Sequence, residues 1–160
     1  MGNIASQPVV YQPSNRFRVS FDGQSYGEFA EAEGFDDFEI GVMSIDTGDS
    51  NVVASQSAGK KKYSPLKLTK GAVSADKEFL RQWADQIVDA SGQNGAVDPA
   101  YKKNITLDQL DRAGNPVHTW TMFESFISKF SGGKFDAKSN EFRMVSVELT
   151  YRYNQVVPAI

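Results

Sequence analysis

The chain has 160 residues, 40% hydrophobic and 12% aromatic, with a formal net charge of -3 and no cysteine. That length supports one domain that removes roughly two thirds of its unfolded surface from water, and the missing cysteines exclude a disulfide framework, a thiolate metal site and a thiol nucleophile. The chain is too apolar to be disordered, carries no apolar run long enough for a membrane helix, and is too nearly neutral to coat nucleic acid or anionic lipid as a whole.

Residues 1–14 read as an extended arm, because Pro8, Pro13 and several small polar residues prevent helix. Met1-Gly2-Asn3-Ile4-Ala5-Ser6 fits the pattern for N-terminal myristoylation. No polybasic stretch follows to give a second membrane signal, so the arm is the better reading and no membrane partner is expected. Gln7, Pro8, Gln12 and Pro13 interrupt any secretory core.

Residues 15–160 form the expected folded domain. Phe17, Val19 and Phe21 alternate with Arg18 and Ser20, the period of a strand with one buried face. Asp22-Gly23 supplies a tight turn, so residues 26–33 are expected to return beside that strand. Phe38, Ile40 and Val42 suggest another strand. Residues 44–62 are polar and small, including Ser44, Asp46, Asp49 and Asn51. A stretch this long that cannot pack a core predicts an inserted arm reaching a neighbouring subunit. Residues 63–70 read as a strand with Leu66 and Leu68 on one face, and Pro65 places its start or an edge.

One helix is expected at about residues 75–90, capped by Ser74, with Asp76 and Glu78 near its positive end and Phe79, Leu80, Trp83 and Ile87 as its apolar stripe. Strands follow at 104–111 and 117–127, joined by Ala113-Gly114-Asn115-Pro116, with a bulge expected where Leu110 breaks the alternation. In the last strand Val145, Val147, Leu149 and Tyr151 share a face. The sum is a mainly β chain, an antiparallel β-sandwich or partly closed β-barrel with one flanking helix.

Gly23-Gln24-Ser25-Tyr26-Gly27 satisfies the Gly-x-Ser-x-Gly pattern of a serine hydrolase, with His118 and Asp98 or Asp111 as conceivable partners. That elbow requires a strand before it and a helix after it, whereas a hairpin turn precedes Ser25 and strand pattern follows. Ser25 reads as a turn residue and the chain as no enzyme. His118, the one histidine, shares a strand face with Trp120 and Met122, which favours a packed or edge position. No calcium-loop spacing and no phosphate-binding glycine motif occurs, so no metal or other cofactor is expected.

Charge is segregated. Glu28, Glu31, Glu33, Asp36, Asp37 and Glu39 crowd one stretch, and Lys60, Lys61, Lys62, Lys67 and Lys70 another. On a monomer these are solvated faces. In a ring, opposite charges on the two sides of each copy favour head-to-tail contact, so these stretches are candidates for setting subunit or ring order.

In their order these features resemble the tail tube proteins of contractile phages and related contractile injection systems, over about residues 15–153. The likeness runs from Phe17-Arg18-Val19 and the F-x-E-x-x-G run at Phe29 to Gly34, through Leu66 to Gly71 and the helix with Phe79 and Trp83. It continues with Asn104-Ile105-Thr106-Leu107, Gly114-Asn115-Pro116-Val117, Trp120-Thr121-Met122, Ser139-Asn140-Glu141 and Val145 to Leu149. The resemblance implies six-subunit rings stacked into the inner tube of a virion tail or injection particle, assembled in the bacterial cytoplasm. One sheet of each subunit would join its neighbours into a continuous barrel, and the 44–62 and N-terminal arms would make contacts between rings. It further implies a contractile sheath, a baseplate and a tail terminator as partners, and DNA or protein cargo passing without sequence-specific binding. Alternatives are a type VI secretion ring protein, a baseplate tube-initiator or, in another class, a monomeric ligand-binding barrel.

Overall fold

Alternation of apolar and polar side chains decides where this chain forms strands. The computed structural model describes residues 11, 13–24, 29–46, 48, 53–74, 77–88 and 101–158. Within them lie β1 (Phe17–Phe21), β2 (Glu31–Glu33), β3 (Phe38–Ile45), β4 (Ala54–Tyr63), β5 (Leu66–Gly71), α1 (Phe79–Ile87), β6 (Lys103–Leu110), β7 (Pro116–Ser131), β8 (Met144–Thr150) and β9 (Tyr153–Pro158). Seven strands make one antiparallel sheet in the order β1-β6-β7-β8-β5-β2, with β9 also on β7, and β3 and β4 make a separate two-stranded ribbon.

The long strand β7 ties the sheet together. Its first half pairs with β6 and β9, from His118 opposite Pro158 to Phe123 opposite Tyr153. Its second half pairs with β8, from Phe126 opposite Thr150 to Ser131 opposite Ser146. Between the halves the register against β6 slips by one residue at Glu124, whose φ of 55° marks a bulge. The bulge is anchored: the Glu124 N–H donates to Asn104 Oδ1 at 3.2 Å, and its carboxylate meets Arg152 Nη1 at 3.2 Å. Such a bend turns the sheet back on itself, so that buried faces meet around Phe21, Leu66, Leu68, Ile105, Met122, Val147 and Leu149.

Helix α1 covers this core with the expected stripe. Leu80 and Trp83 are buried, while Phe79 and Ile87 pack at the rim. The helix begins at Phe79 and not near Ser74; Glu78 occupies the cap position without a side-chain capping bond. Ser74 instead starts a turn, its carbonyl accepting from Lys77 N–H at 2.9 Å. The reason lies in the sheet: Glu78 turns inward, Oε1 3.0 Å from Lys70 Nζ, with both side chains under one tenth exposed.

Two further expectations change. Asp22 and Gly23 do form a tight turn, with φ of 49° and 82° and reciprocal backbone bonds between Phe21 and Gln24. The returning chain pairs elsewhere, however: β2 lies against β5, Glu31 opposite Thr69, and β1 against β6. Residues 54–62 belong to strand β4, so the inserted segment is largely one limb of a ribbon. The bulge expected near Leu110 is present, as a register shift between Gln109 and Leu110.

The sheet is not closed into a barrel. β1 and β2 end the strand order, and between them runs a groove of about 410 Å³ lined by Phe17, Phe35, Leu107 and Trp120. Gly34 fits this rim for a steric reason. Its φ is +81°, and a Cβ there would run into the carbonyl oxygen of Pro65.

Candidate assembly surfaces

The β3–β4 ribbon is built from residues that bury little within their own chain. Phe38, Ile40, Val42, Met43, Ile45 and Val53 are each 41% exposed or more. Isolated two-stranded ribbons are marginal in water. This one is fixed at its base by aromatic contacts, with ring centroids 6.0 Å apart for Phe38–Tyr63 and 5.5 Å for Tyr63–Tyr151. Lys61 Nζ lies 4.2 Å from the centre of the Phe38 ring, a cation–π contact at the same base.

The candidate contact residues fall unevenly on this frame. Ser44 is on β3 opposite Ser55, Asp46 follows it, and Lys60, Lys61 and Lys62 are on β4, all exposed. Glu31 and Glu33 are exposed on β2, and Asp36 and Asp37 in the link to β3. Asp49 and Asn51 lie outside the described residues, as do Ser25, Glu28 and Asp98.

Antiparallel pairing brings the acidic and basic runs together in one copy. Glu39 stands opposite Lys62 and Glu33 opposite Lys67, and Lys67 Nζ reaches Glu148 at 3.6 Å. Lys70 is interior, bound to Glu78. At these two places acidic and basic residues are therefore cross-strand neighbours within one copy, and the ion pairs of Lys67 and Lys70 go to carboxylates outside the acidic run. Exposed pairs of this kind contribute about 0–1 kcal/mol each.

Other described groups are structural. His118 is exposed and stacks on Trp120 with centroids 5.3 Å apart, on a strand flanked by Gln109 of β6 and Pro158 of β9 and not at an edge. Asp111 Oδ1 accepts from the N–H of Ala113 and of Asn115, closing the turn before β7. Across the outer face of β1, β6 and β7, Arg18 Nη2 meets Asp108 Oδ2 at 3.1 Å and the Thr119 hydroxyl donates to Asp108 Oδ1 at 2.7 Å. Among the described residues, no three His, Asp or Glu side chains gather as a metal-binding group.

The ribbon base also carries a titrating group. Tyr151 is 6% exposed and donates to the Gly34 carbonyl at 3.3 Å. Burial, then the neighbouring Tyr63, Asp37 and Asp36, push its pKa up to about 12. The folded chain thus holds this proton where the unfolded chain has lost it. Stability is unaffected below pH 10 and falls as pH rises towards 12, by an amount on the order of 1–2 kcal/mol. Denaturant midpoints between pH 9 and 12 are expected to drop for the native chain and less steeply for Tyr151→Phe. Equal slopes would remove Tyr151 from the account.

Two surfaces went unmarked by sequence patterns. Strand β9 exposes Tyr153, Val156 and Val157 along an edge. The β7–β8 connection holds Phe135 at 91% and Phe142 at 90% exposure. Aromatic residues inside the polar, glycine-flanked segment 132–143 were the available signal.

An antiparallel body with unpaired edges and a projecting apolar ribbon has the make-up of a structural subunit that assembles. The profile of the T4-like virus tail tube protein gp19 matches residues 13–155. The chain belongs to that tail tube family. No curated protein matches. Among solved structures, a chain of the extended sheath–tube complex of the extracellular contractile injection system PVC superposes with a TM-score of 0.78 at 23% identity, covering 93% of each chain. A chain of the anti-feeding prophage cap, the tube-terminating cap, gives 0.80 at 23% identity, over 99% of this chain and 100% of that one. Hcp1 from Flavobacterium johnsoniae gives 0.52 at 10% identity, over 90% and 96%. At these identities the likeness is one of fold.

Proposed function

We propose that this chain forms hexameric rings that stack into a hollow inner tube within a contractile sheath, beginning at a baseplate, ending at a terminator and conducting DNA or protein cargo. The observation that carries the reading is the apolar ribbon projecting from a body whose sheet is unclosed. Among the described residues, a lone copy leaves Phe38 to Ile45 wet and the borders of β1, β2 and β9 unpaired, both of which are hazards that association removes. Membership in the tail tube family and the fold shared with chains of injection-system complexes support it.

The ribbon, with Ser44 and Lys60 to Lys62 on its strands and Asp46 just past β3, is the ring-to-ring arm in this reading, and Asp49, Asn51 and residues 1–14 are assigned to the same contact by their place in the sequence. Glu31, Glu33, Asp36 and Asp37 lie on β2 and in the link to β3, and in this reading they act in the sideways contact between copies of one ring. A lumen that lets DNA slide is poor in free lysine and arginine. The outer face of β1, β6 and β7 suits that wall, since it presents Ser20, Thr106, Thr119 and Thr121 and neutralises Arg18 on Asp108.

Negative-stain microscopy of the purified chain tests the proposal. Tubes with six-fold end views are expected. Discrete soluble rings would favour the type VI-like alternative, and a monodisperse monomer at high concentration would defeat both.

A further inference from the structure

The ribbon leaves the body at one end of the sheet, and the exposed phenylalanines lie at the other. Tyr63, which ends β4, packs on Tyr151, just past the end of β8. Along β5 the pairing runs from Leu66 opposite Leu149 to Gly71 opposite Met144, and the 132–143 loop begins at that second end, with Ala72 N–H donating to the Arg143 carbonyl at 2.9 Å. Six residues of extended chain separate the two ends by about 17 Å.

In a ring closed through strand edges, the edges face sideways and the strand ends face up and down the tube. Ribbon and loop are then on opposite axial faces. Identical copies stacked head to tail bring the ribbon of one ring against the loop end of the next, a heterologous contact that propagates without limit.

The loop is built to present its rings. Asp136 caps a turn, its Oδ1 accepting from Lys138 N–H at 3.0 Å and its carbonyl from Ser139 N–H at 3.1 Å. Ser139 Oγ accepts from Glu141 N–H at 3.1 Å. Arg143 donates to the Gly132 carbonyl and places its guanidinium 5.4 Å from the centre of the Phe135 ring. Gly133 has a φ of +80°, and a Cβ there would collide with the Met144 carbonyl oxygen. Aromatic side chains held out on an ordered loop are the kind that anchor interfaces, because little freedom is lost on docking. Val73 and Met144, 43% and 39% exposed, widen the same apolar end.

We propose that Phe135 and Phe142 form the receiving surface for the β3–β4 ribbon of a copy in the adjacent ring, with Met43 and Ile45, which share one face of β3, as the apolar side chains they meet. The inference rests on the stacked-ring function proposed above. Both surfaces are apolar, both stand exposed on their own copy, and they sit at opposite ends of one sheet. Six such contacts act together between two rings, so modest single contacts give a durable stack. The loop's exposure means that its alteration leaves the body's packing untouched.

The test is Phe135→Ser/Phe142→Ser in the full chain, beside Met43→Ser/Ile45→Ser, with ring and tube populations counted by negative stain. Both pairs are expected to keep six-fold rings and to shorten mean tube length at least tenfold. Because the chain has no cysteine, Met43→Cys with Phe142→Cys gives a direct readout. Under oxidation the paired variant is expected to form disulfide-linked ladders, whereas either single variant forms at most linked pairs. Tubes of unaltered length from the phenylalanine variant overturn the proposal, including the case in which only sheath binding fails. Loss of rings along with tubes also overturns it, since the loop would then be a lateral contact. If the unaltered chain makes no rings, the proposed function itself fails, and this inference with it.

Discussion

Trp83→Ala is expected to lower the unfolding free energy by about 3–5 kcal/mol, measured by denaturant unfolding at a dilution where the chain is dispersed. The indole is fully buried, meets Phe21 edge-on at a centroid distance of 5.7 Å, and stacks on Phe79 at 6.0 Å. Its N–H donates to the Tyr101 carbonyl at 2.7 Å, which fastens the chain entering β6 to the helix. Alanine removes the ring, leaves a cavity against Phe21 and orphans that carbonyl. Trp83→Phe keeps most of the volume and loses the bond, so a smaller cost of about 1–3 kcal/mol is expected. Domain stabilities lie at about 5–15 kcal/mol, which makes the alanine change a large fraction of the total. A loss under about 1 kcal/mol would mean that α1 is an ornament to the core and not its lid.

Lys70→Met is expected to cost about 3–5 kcal/mol, because it strands the Glu78 carboxylate in the interior. Lys70 Nζ is 3.0 Å from Glu78 Oε1, near enough for strong attraction, yet this buried oxygen has no hydrogen-bond partner among the described residues. A pair in that condition repays its desolvation poorly. Lys70→Met/Glu78→Leu is therefore expected to be more stable than Lys70→Met alone and close to the native chain. A double-mutant cycle reads the coupling directly. If the double variant is as unstable as the single, the pair contributes positioning of α1 that apolar side chains cannot replace.

The core strands were legible because burial imprints a period. Val19 with Phe21, Leu66 with Leu68, Ile105 with Leu107, and Val145 with Val147 and Leu149 are all interior, as their spacing required. The helix stripe was equally plain. Its start was not, since nothing local reveals that Glu78 turns toward Lys70, eight positions earlier in the chain. Strand β4 escaped notice for a related reason: Ala54 to Lys62 buries no face against its own body, so no alternation is imposed on it. Strand β9 is also an edge, and Tyr153, Val156 and Val157 straddle both of its faces. Contact surfaces are in general written against a partner's pattern, which one chain does not contain. That is why Phe135 and Phe142 passed as loop residues while the charged runs drew attention and then proved to lie beside each other.

The sixteen residues of β7 run through both halves of the sheet, a backbone path of about 50 Å before allowing for the bend at Glu124. Load entering one half therefore reaches the other along peptide bonds as well as across hydrogen-bonded ladders. In the stacked tube proposed above, the subunit acts as a strut whose weakest joints are the seams between copies. Mechanical failure should then appear as rings parting from rings, with each subunit still folded.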